Sequence, residues 1–461
     1  MLFNSPVFPL FFAVVYLVYR LVPHRAQNVL LLAASYFFYA WWDWRFCGLI
    51  LLSTVVDYFC AHRLAAGGGR KFVAVSVATN LLILGVFKYL GWLVDETALF
   101  LIYWGFTESR PVLDILLPVG LSFYTFQSMA YTIDVHRGHA KPTRSFLDFA
   151  LFVSFFPQLV AGPIERFSKL MPQLEKPRTV TTAQTAEGGW LILWGYFKKL
   201  FVADNLAILV NEVYADGAEP SGAMVLIAFY AFTWQIYCDF SGYTDIARGV
   251  AKLLGIELTI NFNLPFFAKS PREIWRRWHI SLSQWLRDYL YISLGGSRGG
   301  KLRTQFNLAM TMLLGGLWHG ANWVFIVWGA YHGLALAIQR QFKRRELGPV
   351  ASFFAIVATF HFTVLGFAIF RAQSMGQFAG LARALVTDFH VSEDDRYAFI
   401  QLAVLIAVPL VAQIVMYLRG DDLELLWKLP RPVQAVLAIA LFTAIVVLGS
   451  TYGQQFIYFQ F

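Results

Sequence analysis

Three of the nine histidines, His279, His319 and His332, fall within one stretch, 270–333. An imidazole can take a proton from a hydroxyl near pH 7, so these residue types suit general base chemistry. His319 lies in 304–328, a run without a charged residue that reads as membrane interior. An ionisable group there is expensive, and a functional site is its default reading. Glycines at 315, 316 and 320 remove side chains around it and permit close approach by a backbone or a ligand. Two roles are compatible with this pattern: a catalytic base, and a hydrogen bonder between packed helices. No Ser-His-Asp set, HExxH or Cys-His spacing accompanies it, so neither a covalent serine nor a zinc mechanism is indicated. His332 falls on roughly the opposite face of a continuous helix and is the weaker candidate. His361 has apolar flanks and reads as structural. His24, His62, His136 and His139 adjoin basic loops, and His390 lies near an acidic one; all five read as solvated.

His279 belongs to a segment dense in arginine and tryptophan. Ser270-Pro271-Arg272-Glu273 is a helix start, with Ser270 and Glu273 placed for a reciprocal cap and Pro271 at the first helical position. The spacing predicts one amphipathic helix to Tyr289. Trp275, Trp278, Leu282, Trp285, Leu286 and Tyr289 share a face, while Arg272, Arg276, Ser283 and Arg287 lie on another. His279 falls on the aromatic face. It is either a core histidine bonded to a carbonyl or one aimed into a polar cavity below an interfacial helix. The arginines suit lipid phosphates, at about 1 kcal/mol per charge near the surface, or an anionic cofactor.

Other polar groups read more simply. Asp239 and Asp245 flank Ser241–Thr244 at the end of an apolar run, which indicates a polar pocket, a helix break or a cap for a helix beginning near Thr244. Asn261 and Asn263 read as turn residues before Pro265. Ser122, Tyr124, Thr125, Gln127 and Ser128 form a polar stripe that can line a channel or bond neighbouring helices.

The elements that must position these groups are set by composition. The 461 residues are 58% hydrophobic and 14% charged, against roughly 25% charged in soluble domains. Apolar runs recur from end to end, so the chain reads as one polytopic membrane domain, 1–461. The opening 20 residues read as a first membrane segment rather than a cleavable signal. Cys47, Cys60 and Cys238 have no disulfide or metal spacing. The net charge of +9 sits in loops between apolar segments, as expected of cytoplasmic loops facing anionic lipid rather than nucleic acid. Candidate segments are 7–22, 27–42, 46–62, 72–94, 113–134, 146–162, 188–210, 222–238, 304–318, 321–339, 351–370, 398–418 and 433–450. The loop 269–303 carries eight Lys/Arg against two acids and is expected inside. Basic loops on both sides of 146–162 make it a re-entrant piece. The same logic makes 304–339 enter and return with His319 near the turn; a pair of short spans joined at 318–322 is the alternative.

Four motifs, CDFSGYTDIARG, NFNLPF, EIWRRWHISLSQWLRDYLYISLGGSRGG and MLLGGLWHGANWVFIVWGAYHG, together resemble the membrane-bound O-acyltransferases. The nearest branch acts on bacterial polysaccharides such as alginate. MLFNSPVF, LPVGLSFYTFQSMAYTIDVHRG, FPQLVAGPIERF and FIYFQF share the likeness, which covers nearly the whole chain. The resemblance implies an all-α polytopic membrane protein, with about 11 transmembrane helices plus re-entrant and interfacial helices around a central tunnel. His319 matches the family's buried histidine in its Trp-His-Gly motif. His279 matches a second polar position that is asparagine or aspartate in some members. The implied donor is a cytoplasmic thioester, acetyl-CoA, with no permanently bound cofactor and no metal. Arg272, Arg276 and Arg277 would attract its phosphates, although no phosphate-binding loop is present. The acetyl group would pass across the inner membrane to an exported acetyltransferase partner that modifies the polymer. The stretch before the last span is shorter than in the alginate member. A D-alanyl transferase using a carrier protein is the alternative within the enzyme class. A polysaccharide or lipid transporter is the alternative outside it, and would call for paired intramembrane charges or repeat symmetry. The sequence displays neither.

Overall fold

The computed structural model describes all residues except 112, 114, 161, 343–345, 421–422, 451–455 and 460–461. Every regular element among the described residues is helical. Among the described residues, six stretches are long and apolar enough to cross a membrane: His24–Ala65, Lys71–Tyr103, Gly222–Leu253, Pro349–Arg371, Glu393–Leu418 and Arg431–Leu448. Val7–Leu21 and Trp323–Gln339 are shorter apolar helices. The 42 residues of His24–Ala65 contain two of the anticipated segments. Asp43 has an extended backbone, and its carboxylate accepts the Arg45 N–H at 2.9 Å, which ends one helix before the next begins. Length and apolarity alone therefore do not yield the expected count of eleven.

The chain divides into two compact units. One comprises Met1–Gln184 with Val250–Thr259, the other Thr185–Gly249 with Ile260–Phe461. In the first, 146–162 is broken as expected. A helix Phe146–Ser154 stops at Phe155, whose ψ of 109° is non-helical, and a short helix Phe156–Leu159 follows. Residues 149–160 are all buried in protein, which is where irregular backbone is tolerated at membrane depth. The polar stripe bonds neighbouring helices. Gln127 donates to the Phe152 carbonyl at 2.6 Å, and Ser128 donates to the buried carboxylate of Asp57. Asn80 donates to the same Asp57 oxygen at 2.8 Å.

The second unit holds 304–339 as a helical hairpin. Its arms, Gly300–His319 and Trp323–Gln339, are joined by three residues. Twenty residues at 1.5 Å per residue make the first arm about 30 Å long. The glycines serve helix packing. A Cβ on Gly316 would lie 2.1 Å from the Phe325 carbonyl oxygen, and one on Gly329 2.4 Å from that of Met312. Gly316→Val is therefore expected to destabilise the protein by about 1–3 kcal/mol through overpacking. Thermal unfolding of the purified protein would show this as a lowered midpoint.

A second glycine seam joins the helices Thr182–Tyr196 and Gly222–Leu253. A Cβ on Gly195 would meet the Gly242 oxygen at 2.6 Å, and one on Gly249 the Gly188 oxygen at 2.6 Å. The helix Gly222–Leu253 runs without interruption through Asp239 and Asp245. Those carboxylates neither break nor cap a helix, contrary to the expectation for a helix starting near Thr244. They answer two lysines on a wide helical turn, Phe197–Ala203. Lys198 reaches Asp245 at 2.7 Å, while Lys199 reaches Asp204 at 2.9 Å and Asp239 at 2.6 Å. Paired buried charges, which the sequence does not display, are thus present on a helix long and apolar enough to cross a membrane.

Candidate active site

His319 is the last residue of the hairpin's first arm. Gly320 leaves the helix in extended conformation. Asn322 starts the second arm by accepting the Val324 N–H at 3.0 Å. This turn puts His319 at a helix C-terminus, the end whose dipole favours a nearby positive charge. His319 is only 5% exposed. The rings of Trp318, Trp328 and Phe370 surround it at 5.0, 5.0 and 5.2 Å.

The single helix anticipated over 270–289 is in fact interrupted at the histidine. A first piece, Pro271–Arg277, ends where Trp278 becomes extended (φ −109°, ψ 130°). His279 is left-handed (φ 42°, ψ 54°), and a second piece, Ile280–Trp285, leads into a wide turn over Leu286–Tyr291. His279 thus projects from a break rather than from a helical face. The cap also differs in detail. Ser270 Oγ accepts the Glu273 N–H at 3.3 Å as anticipated, but Glu273 accepts the Lys269 N–H at 2.9 Å.

Asn261, anticipated as a turn residue, holds the break. Its Oδ1 accepts from Ser281 N at 3.1 Å, Ser281 Oγ at 2.9 Å and His279 Nδ1 at 3.3 Å. Its main-chain oxygen accepts the Ile280 N–H at 3.0 Å. With the Nδ1 proton on Asn261, Nε2 is the basic nitrogen of His279. Burial pushes its imidazolium pKa down to about 3, so the ring is neutral at pH 7.

The two histidines share neighbours. Trp318 lies 6.1 Å from His279 and 5.0 Å from His319. Tyr458 lies 6.2 Å from His279 and 5.7 Å from His319. Tyr458 is held by Phe240 at 4.7 Å, and the preceding Ile457 donates its N–H to Asp239 Oδ2 at 2.7 Å. The structure therefore assembles His279, His319 and a phenol that the sequence pattern does not single out as a site residue. The segment that carries it, FIYFQF, contributes only to the family likeness.

The other candidates fall elsewhere. His332 packs against Trp328 at 4.6 Å and Trp275 at 5.2 Å, beyond Trp328 from His319. His361 bonds Tyr230 at 2.8 Å and the Val357 carbonyl at 2.8 Å, a structural role as expected. Arg277 pairs with Glu273 at 2.9 Å and donates to the Asn263 carbonyl at 3.2 Å, so it braces the break. Arg276 is exposed and Arg272 half-buried. No group of three or more His, Cys, Asp and Glu side chains suited to a metal ion occurs among the described residues.

A family model described as MBOAT, membrane-bound O-acyltransferase family, matches residues 79–346. The "Probable alginate O-acetylase AlgI" of Azotobacter vinelandii is 45% identical over 385 residues, covering 81% of this chain and 76% of that protein. The "Peptidoglycan O-acetyltransferase" of Helicobacter pylori is 34% identical over 414 residues, 81% of this chain and 78% of that protein. The "Teichoic acid D-alanyltransferase" of Bacillus subtilis is 28% identical over 289 residues, 57% of this chain and 71% of that protein.

Proposed function

The chain belongs to the membrane-bound O-acyltransferase family and is an O-acyltransferase, and from that premise we propose that it moves an acetyl group from acetyl-CoA in the cytoplasm, across the inner membrane, for O-acetylation of an exported polysaccharide of the alginate class. The relatives with the higher identities are named for O-acetylation, whereas the D-alanyltransferase is 28% identical over a shorter span. The observation that carries the chemical reading is the packing of the Tyr458 ring against both imidazoles, at 6.2 Å from His279 and 5.7 Å from His319.

In this reading His319 takes the proton from a hydroxyl as that oxygen attacks the thioester carbonyl. The developing imidazolium is favoured by the helix C-terminus. His279, its Nδ1 proton fixed by Asn261, orients donor or acceptor through Nε2. The hydroxyl we assign to this step is that of Tyr458, whose ring packs 5.7 Å from that of His319. The carbon–sulfur bond breaks, an acetyl ester forms on the phenol oxygen, and His319 returns the proton to the departing thiolate. A hydroxyl of an exported acetyltransferase partner then attacks this ester, the bond to the phenol oxygen breaks, and the hydroxyl's proton passes to the phenolate, restoring Tyr458. Arg272 and Arg276 attract the donor phosphates.

A donor assay on the purified, membrane-reconstituted protein tests the proposal. Labelled acetyl-CoA should place label on the protein or its acceptor. Transfer from a D-alanyl carrier protein with none from acetyl-CoA would replace acetyl by D-alanyl. Export of polymer with no acyl transfer from either donor would overturn the reading.

A further inference from the structure

Buried charges are expensive, and on a helix able to cross a membrane a functional role is their default reading. The second unit buries Lys199, Asp204 and Asp239, each no more than 2% exposed. The wide turn Phe197–Ala203 makes this possible. Its widened winding brings two consecutive residues, Lys198 and Lys199, to the carboxylates of the helix Gly222–Leu253. The glycine seam at Gly195 and Gly242 lets the two backbones close to that distance. Lys199 is shared by two carboxylates, Asp204 at 2.9 Å and Asp239 at 2.6 Å. The second oxygen of Asp239 accepts the main-chain N–H of Ile457 at 2.7 Å. Asp239 is thus anchored on one side and grips the segment Phe456–Tyr458 on the other. Phe456 is buried and packs on Tyr243 at 4.7 Å and Phe240 at 5.8 Å, adjacent to the same helix.

We propose that Asp239, held by Lys199, is a positioning residue that clamps the segment 456–458 so that the Tyr458 ring stays against His279 and His319 during acyl transfer. Asp239 touches neither histidine; it acts through the Ile457 N–H. A main-chain bond is well suited to this. It fixes the backbone next to Tyr458 and leaves the phenol to the histidines. The ion cluster supplies a rigid anchor, because Asp239 cannot swing to follow the segment while Lys199 holds its other oxygen.

This inference rests on the reading of Tyr458 given above, so its test has two separate arms. Hydrogen exchange of the full-length protein in nanodiscs reads the clamp. In Asp239→Leu the Ile457 amide should exchange at least about tenfold faster, the loss of a bond to a charged acceptor. Amides in Gly222–Leu253 should keep their protection, which shows the fold intact. Acetyl transfer reads the consequence. It should fall at least about tenfold in Asp239→Leu, seen in kcat rather than in KM for the donor. Asp239→Asn, whose Oδ1 can still accept the Ile457 N–H, should recover part of both. Unchanged exchange at Ile457 in Asp239→Leu would overturn the clamp. A released segment with undiminished transfer, or equal defects in the Asn and Leu variants, would overturn the positioning role. Absence of acetyl transfer in the wild type would instead sink the functional reading and leave the exchange arm to decide the clamp.

Discussion

His319→Ala should lose acetyl transfer by about 10²–10⁴-fold, the contribution of a positioned general base, while the protein still folds and inserts. The side chain sits at the end of a helix whose packing is carried by the glycine contacts at Gly316 and Gly329 and not by the imidazole. Removing it leaves a cavity among Trp318, Trp328 and Phe370 but keeps the Asn322 cap that starts the hairpin's second arm. The measurement is labelled acetyl transfer alongside a thermal unfolding midpoint. Wild-type transfer by a folded variant would end the base assignment. A protein that fails to fold would show that the ring's packing matters more than the glycines suggest, and His319→Gln would then separate the two effects.

The second large effect is expected at Tyr458. Tyr458→Phe keeps the ring that packs on Phe240 at 4.7 Å and on His319 at 5.7 Å, and deletes only the hydroxyl. If that hydroxyl takes the acetyl group, transfer falls to background, and mass spectrometry finds no acetyl on the segment containing residue 458. A structural role alone predicts near-normal turnover, because the aromatic contacts survive. Hydroxylamine treatment of the wild type should release the label, as it would from a phenyl ester. Full activity in Tyr458→Phe would move the acceptor elsewhere and leave His319 in place.

Several of these features are legible in the sequence, and the reasons differ by residue. His319 announces itself because an ionisable group stands in an uncharged run beside three glycines. The helix start at Ser270 is local chemistry and needs no tertiary knowledge. The break at His279 is not legible, because periodicity assumes continued helix and no glycine or proline marks the left-handed residue. Asn261 looks like a turn residue because its three acceptor contacts lie at 279 and 281, out of local view. Asp239 and Asp245 look like caps because their lysines are about forty residues earlier, on a turn whose widened winding shifts the helical phase. Tyr458 lies 139 positions beyond His319 in sequence and joins it only through the fold.

The left-handed backbone at 279 also bears on which sequences this position can explore. Side chains other than glycine visit that region with difficulty, and asparagine and aspartate reach it most readily. An evolving chain that gives up the imidazole thus meets least conformational resistance with one of those two. They are the replacements the family resemblance associates with the position. The drift permitted here is filtered by the φ angle before the chemistry of the side chain is ever tested. Asn or Asp at 279 should be inherited without compensating change in the neighbouring helices, whereas a β-branched or aromatic newcomer would require the turn itself to be rebuilt.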